Sequence, residues 1–216
     1  LPHLALRFQK FVGHELETVR PHGLERPIIM DATVAQTDGY RFVYTLPFSP
    51  TRLLIEDTYY SDRDDLPESD IGKRLATYAR TQGWEISRIV RTETGVLPII
   101  LAGDPAARPA DDPATAPSIG LGGAFFHPVT GYSLPDAVRL AGRIAAITPL
   151  STASARAAIE AVAADIWPRR AFYRLLNRML FLAGDPDQRY GVLQHFYSLP
   201  TALIQRFYAA DLTAFD

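Results

Sequence analysis

The hydrophobic pattern of this chain changes its period partway along, and that change limits what it can fold into. Up to Pro98 apolar residues mostly alternate with polar ones, the period of a strand with one buried face. From Leu134 onward they recur at three and four residues, the period of an amphipathic helix. Strands that precede helices in this way predict an α+β fold: an antiparallel sheet followed by a C-terminal helical region.

The alternation falls into separate runs. Leu4, Leu6, Phe8, Phe11, Val12, Leu16 and Val19 predict a strand over residues 4–19, bent at Gly13. Pro21-His22-Gly23 is a turn, and Ile28 to Val34 reads as a second strand. Thr37-Asp38-Gly39 carries the Asp-Gly hairpin signature before a third strand, Tyr40 to Phe48. Ser49-Pro50-Thr51 then turns the chain into a fourth, Arg52 to Tyr60. Short turns between successive strands predict an antiparallel meander. An acidic loop leads to helical spacing at Ile71, Leu75, Tyr78 and Ala79, stopped by Gly83, and Trp84 to Pro98 reads as another strand. Helices are predicted over 134–147, 151–165, 169–183, 186–197 and 200–210. The resulting division is a sheet over 1–102, a loop over 103–117, a strand–turn–helix segment over 118–148 and helices over 149–216.

Composition excludes several functions. A net charge of −2 over 216 residues points to no nucleic acid. With no cysteine there is no disulfide, thiolate metal site or cysteine nucleophile, which fits a reducing compartment. The five histidines (3, 14, 22, 127 and 195) have no metal-binding spacing, so no metal is expected. No apolar run reaches the length of a membrane span, and no signal peptide is read at the start. Because the sequence begins at Leu1 without Met, it is expected to be a piece of a longer protein.

Four stretches carry candidate chemistry. In Arg52-Leu53-Leu54-Ile55-Glu56-Asp57-Thr58-Tyr59-Tyr60 two acids sit in an apolar strand, and alternation sends them to opposite faces. Whichever faces a dry cavity has its pKa raised, as a general acid needs. The alternative is that one acid is solvated and the other pairs with Arg41 or Arg52. In Met30-Asp31-Ala32-Thr33 the acid is expected to pair with Arg41. Gly120 to Pro135 is a small-residue run that breaks at His127-Pro128, turns through Thr130-Gly131 and enters a helix. There Ser133 is placed as N-cap, Gly131 permits close backbone approach, and free helix N–H groups attract an anion. His127 itself is expected to be packed and hydrogen-bonded. Finally, Arg170, Arg174 and Arg178 recur every four residues as a basic stripe opposite Phe172, Leu175, Leu176, Met179 and Leu180. Such a helix lies on a membrane or, more commonly, packs one face on a core. No G-x-G-x-x-G, P-loop or G-x-S-x-G motif occurs.

Five blocks together resemble a known family. Arg26 to Val34, Gly39 to Pro47, Leu54 to Tyr60, His127 to Pro135 and Asn177 to Phe181 are similar, in order and spacing, to bacterial lycopene β-cyclases, members of the flavoprotein cyclase family of carotenoid synthesis. The resemblance covers nearly the whole chain. It implies part of a two-domain flavoprotein in which a Rossmann-type domain binds FAD and an antiparallel sheet with helices forms the substrate part. The family's glycine fingerprint is missing, so the likeness is to the middle and C-terminal portion, inactive by itself.

The implied reaction cyclises linear lycopene and related carotenoids without net redox, with FAD held reduced by NAD(P)H. An acid protonates a terminal double bond, the next double bond closes a ring on the cation, and proton loss leaves a β-ionone ring. By resemblance Glu56 is the acid and Asp57 its neighbour. Tyr40, Phe42, Tyr44 and Tyr60 contact the substrate, and Thr130, Gly131 and Tyr132 touch the flavin. The implied setting is cytoplasmic and peripheral to a membrane, which gives weight to the basic helix. Two other readings are a flavin-dependent hydroxylase or reductase of the same superfamily and a non-catalytic carotenoid- or lipid-binding fragment.

Overall fold

The computed structural model describes residues 3–104 and 117–213. Most of the loop expected over 103–117 lies outside them. The fold is α+β. Its strands are β1 (Leu4–Thr18), β2 (Ile28–Asp31), β3 (Tyr40–Ser49), β4 (Arg52–Ser61) and β5 (Ile86–Gly103), with α1 (Glu68–Thr81) before β5. Five further helices follow: α2 (Leu134–Ala145), α3 (Thr152–Arg169), α4 (Ala171–Leu182), α5 (Arg189–Tyr197) and α6 (Thr201–Tyr208). The chain divides into two compact units, Arg7–Pro98 with Gly184–Gln194, and Leu1–Leu6 with Ile99–Ala183 and His195–Asp216.

The strands form one five-stranded sheet in the order β2-β3-β4-β1-β5, with antiparallel ladders between β2 and β3, β3 and β4, and β1 and β4. The predicted meander therefore holds for β2, β3 and β4 but not for β1, which pairs with β4 and β5. The Pro21-His22-Gly23 turn leads away from any hairpin. His22 instead ties it to the β3–β4 turn, its N–H bonding Pro50 O at 2.9 Å and its Nε2 bonding Ser49 O at 2.7 Å. β2 is shorter than predicted because Met30 adopts φ 58° and Asp31 turns back to bond Thr33.

In the Arg7–Pro98 unit α1 covers one face of the sheet. Its Ile71, Leu75, Tyr78 and Ala79 pack on Val12, Leu16, Val43, Leu53, Ile55 and Tyr59. The helix stops where predicted, with Gly83 at φ 78° just past its end. On the other face Tyr40, Phe42 and Tyr60 are buried as well.

In the second unit Phe125 packs with Leu140 and Ile159, and Phe126 with Leu4 and Ile100. The strand predicted before the Thr130-Gly131 turn does not form. Residues 120–124 are successive tight turns, with Gly120 at φ 60°, Ala124 at φ 59° and Phe125 N–H bonding back to Gly120 O. Local bonds satisfy N–H groups that a strand would offer to a neighbour.

Candidate functional site

Register fixes what surrounds Glu56. In β4 it pairs with Tyr44 of β3 on one side and Gly13 of β1 on the other. Directly opposed residues share a face, so Glu56 lies on the face of Leu54, Thr58, Tyr60, Tyr40, Phe42 and Tyr44. The rings form a connected strip along β3 and β4. Centroids are 5.1 Å apart for Tyr40–Phe42, 5.2 Å for Phe42–Tyr44 and 5.9 Å for Phe42–Tyr60. Phe42 is 1% exposed and Tyr40 2%, whereas Tyr44 and Glu56 are half-buried. The four aromatic residues singled out in the sequence are thus one array, with Tyr44 beside the acid.

Burial raises the Glu56 pKa above its ordinary value, the Thr58 hydroxyl donating at 2.9 Å lowers it, and the nearby Glu93 carboxylate raises it again. The net direction is upward, toward a carboxyl that keeps its proton.

Asp57 faces the opposite way and is 0% exposed. Its oxygens accept from Arg41 Nε at 2.8 Å and Arg41 Nη2 at 2.9 Å, and from the Tyr59 hydroxyl at 2.8 Å. Arg74 Nε binds the same hydroxyl at 2.8 Å. The alternative in which one acid pairs with Arg41 therefore describes Asp57. Asp31 does not pair with Arg41 as expected. It accepts from the Tyr78 hydroxyl at 2.8 Å as well as from Thr33, because Asp57 has taken the guanidinium. A groove of about 430 Å³ opens beside this network, lined by Asp31, Val34, Ala35, Arg41, Arg74 and Tyr78.

Sequence reasoning missed Arg189, whose side chain is almost fully buried. Its guanidinium donates to Tyr60 O at 3.1 Å and Asp62 Oδ2 at 2.7 Å, anchoring the 3-10 turn Pro186–Gln188 at the Tyr60 end of the aromatic strip. Gly39 is needed there: its φ is 97°, and a Cβ would meet Tyr60 O at 2.1 Å. Only contacts remote in sequence reveal this role, and residue type gave no signal of it.

In the other unit the Thr130-Gly131-Tyr132 turn is closed on itself. His127 N–H bonds Tyr132 O and Gly131 N–H bonds His127 O, each at 2.9 Å. Val129 and Thr130 N–H both donate to His127 Nδ1 at 3.2 Å, which leaves the ring proton on Nε2 to bond Phe207 O at 2.9 Å. The Tyr132 N–H reaches the Thr130 hydroxyl at 3.3 Å. The N–H groups of Thr130, Gly131 and Tyr132 are thus engaged within the turn. Left facing outward is the Tyr132 ring, 48% exposed and stacked on Tyr208, while Gly131 has φ 72°. Ser133 occupies the N-cap position of α2 without a side-chain cap bond.

Further side chains hold this turn from behind. Asn177 Nδ2 donates to Ile100 O and Pro128 O, both at 2.8 Å. Arg170 pairs with Asp136 through two bonds of 2.8 Å and donates to Phe126 O at 3.0 Å. Arg170 is therefore not part of a basic stripe. It is the residue between α3 and α4, so the four-residue spacing to Arg174 crosses a helix break. Arg174 lies over the Trp167 ring at 3.9 Å. The exposed side of α4 carries Arg178 among apolar side chains, with Phe172, Leu175, Met179 and Leu182 between 40% and 58% exposed. A second groove, about 460 Å³ and apolar, is lined by Ile119, Phe125, Leu140, Ile144, Ile147 and Leu150.

The bonds to His127 carry a pH prediction. Burial pushes its pKa from 6.5 down to about 4. The folded state holds it neutral while the unfolded chain protonates it, so its contribution is complete above pH 6.5 and is lost as pH falls toward 4. At roughly 1.4 kcal/mol per pH unit the loss is about 3 kcal/mol. Urea unfolding at pH 7 and pH 4 should show that loss in the parent protein and a smaller one in His127→Gln.

Comparison with known proteins gives a consistent result. The family described as Lycopene cyclase protein matches residues 2–216. The chain is 54% identical over 215 residues to a lycopene beta-cyclase of Paracoccus sp. (strain N81106 / MBIC 01143), covering 99% of this chain and 55% of that protein. It is 49% identical over 213 residues to a lycopene beta-cyclase of Pantoea ananas, again covering 99% and 55%. For that of Pseudescherichia vulneris the identity is 47% over 209 residues, covering 97% and 54%. The chain thus spans about half the length of these relatives.

Proposed function

The chain belongs to the lycopene cyclase family, and from that premise we propose that it is the substrate-handling part of a lycopene β-cyclase of carotenoid biosynthesis. The observation that carries the proposal is Glu56, its pKa raised, beside Tyr44 at the end of a strip of aromatic rings.

The chemistry follows from that placement. The Glu56 carboxyl gives its proton to the terminal double bond of the polyene and leaves a tertiary cation. The next double bond attacks it, a six-membered ring closes, and a ring proton passes back to the Glu56 carboxylate, which restores neutrality and reloads the acid. Atoms and electrons balance, so the reaction is an isomerisation. The face of Tyr44 meets the cation first, with Phe42, Tyr40 and Tyr60 behind it. Ring faces favour a desolvated cation by about 2 kcal/mol. Asp57 serves this site by fixing β3 to β4 through Arg41 and donates no proton.

A reduced flavin fits the Gly131 turn by surface contact and not by backbone donation, since the donors of Thr130, Gly131 and Tyr132 are already engaged. Tyr132 would lie against it, and Gly131 would leave room for close approach. When bound, reduced FAD, replenished by NAD(P)H, would supply an electron-rich ring. Among the described residues no helix is long and apolar enough to cross a membrane. Peripheral contact through the exposed side of α4 suits a substrate dissolved in a bilayer.

The test uses a full-length cyclase containing this chain, with FAD and NAD(P)H, on lycopene in liposomes. β-Carotene should accumulate while NAD(P)H consumption does not scale with product. Stoichiometric use of oxygen and NAD(P)H would favour a hydroxylase, and tight binding of unchanged lycopene a non-catalytic module.

A further inference from the structure

We infer that Glu93 is a positioning residue for the proton donor: through a notch left by Gly13 it sets a second carboxylate against Glu56. The inference rests on the reading of Glu56 as general acid.

The geometry comes from three adjacent strands. Glu56 lies in β4, Gly13 is its partner in β1, and Glu93 comes from β5 on the far side of β1. Any side chain at position 13 would stand between the two acids. A Cβ there would meet Glu93 Cγ at 3.0 Å, Leu54 Cδ1 at 3.3 Å and Glu93 Oε1 at 3.4 Å. The Glu93 side chain thus occupies the space that Gly13 leaves open. Gly13 does not have a positive φ, so no turn conformation calls for a glycine there. The crossing of Glu93 gives the missing Cβ a purpose.

The surrounding charges fit the role. Arg91 Nη2 lies 3.0 Å from Glu93 Oε2, and its Nε lies 3.3 Å from Glu15 Oε2. Glu15 is held in turn by Arg52 at 2.6 Å. Facing Glu56 are therefore Glu93 and Arg91 from β5, Glu15 from β1, Arg52 from its own strand and the Tyr44 phenol from β3. Arg91 is 59% exposed, so it pairs with Glu93 while remaining in contact with water. The Glu93 carboxylate beside half-buried Glu56 opposes a second negative charge and adds to the upward push on the Glu56 pKa. Glu56→Gln removes the donor. Glu93→Gln leaves the donor and changes only the pH range in which it is loaded.

The experiment is a pH–rate profile of full-length Glu93→Gln, with a ¹³C-carboxyl titration of Glu56 assigned by loss of its signal in Glu56→Gln. Removing the neighbouring charge lowers the Glu56 pKa, so the alkaline limb of kcat moves to lower pH. Activity should fall roughly three- to tenfold on the alkaline limb and less than about twofold on the acid side of the profile, with KM unchanged. The Glu56 titration should shift in the same direction. Gly13→Val, whose branched side chain fills the space Glu93 occupies, should reproduce both changes, and it carries the test alone if Glu93→Gln does not fold. A fall in kcat that is equal at all pH values, with the Glu56 titration unmoved, overturns the inference. A shifted titration alongside full activity of Glu56→Gln upholds the coupling and instead removes Glu56 as the acid.

Discussion

Glu56→Gln should abolish most turnover of lycopene while leaving the fold and any flavin in place. The amide keeps the shape of the side chain and its bond with the Thr58 hydroxyl, now 2.9 Å from a carboxylate oxygen, but it has no acidic proton to give. Loss of a positioned general acid costs a factor on the order of 10²–10⁴ in rate. The direction of the accompanying stability change separates this cause from misfolding. Because the folded-state pKa lies above the ordinary 4.5, the native protein holds a proton that the unfolded chain has released. The wild type therefore loses stability relative to Glu56→Gln as pH rises above 4.5, and the difference levels off above the folded pKa. Thermal melts at pH 5 and pH 8, run beside the turnover assay, should show the variant gaining on the wild type at pH 8. A slow variant that also melts earlier at pH 8 would place Glu56 in the scaffold.

The strands and helices were legible where a local period dictates them. Alternation alone sends Glu56 and Asp57 to opposite faces, and the structure keeps them there. Which face each acid meets was not legible, because residues remote in sequence decide it. Asp57 lies under α1, which starts at Glu68, and its guanidinium partner comes from β3. Burial by itself was a poor guide to the donor. Asp57 is the drier acid, but both its oxygens are held by the Arg41 guanidinium, while half-buried Glu56 accepts from the neutral Thr58 hydroxyl. The arginine stripe failed for a different reason. A spacing of four means one face only inside a single helix, and Arg170 stands between two. Asn177 and Arg189 gave no sequence signal, since their roles are bonds to backbone carbonyls 77 and 129 residues away.

Asp57→Ala should show the opposite behaviour: lost stability first, and lost activity only as a consequence. Removing this carboxylate leaves the Arg41 guanidinium buried over the Tyr59 ring without an anionic partner, its bond to Ala35 O remaining. An uncompensated buried charge costs about 3–5 kcal/mol. The Tyr59 hydroxyl loses an acceptor at 2.8 Å in the same step. The pair itself contributes far less than that, since two charges must first leave water to form it. Replacing both partners, as in Arg41→Met with Asp57→Leu, should therefore recover most of the loss. Urea unfolding of the single and double variants in the full-length protein measures both effects. The rate per folded molecule then identifies the donor. If folded Asp57→Asn is inactive and Glu56→Gln turns over lycopene normally, the proton comes from Asp57 and the aromatic face is not the site of ring closure. If Asp57→Asn retains its rate per folded molecule while Glu56→Gln does not, the two neighbouring acids divide the work, Asp57 holding β3 to β4 and Glu56 supplying the proton.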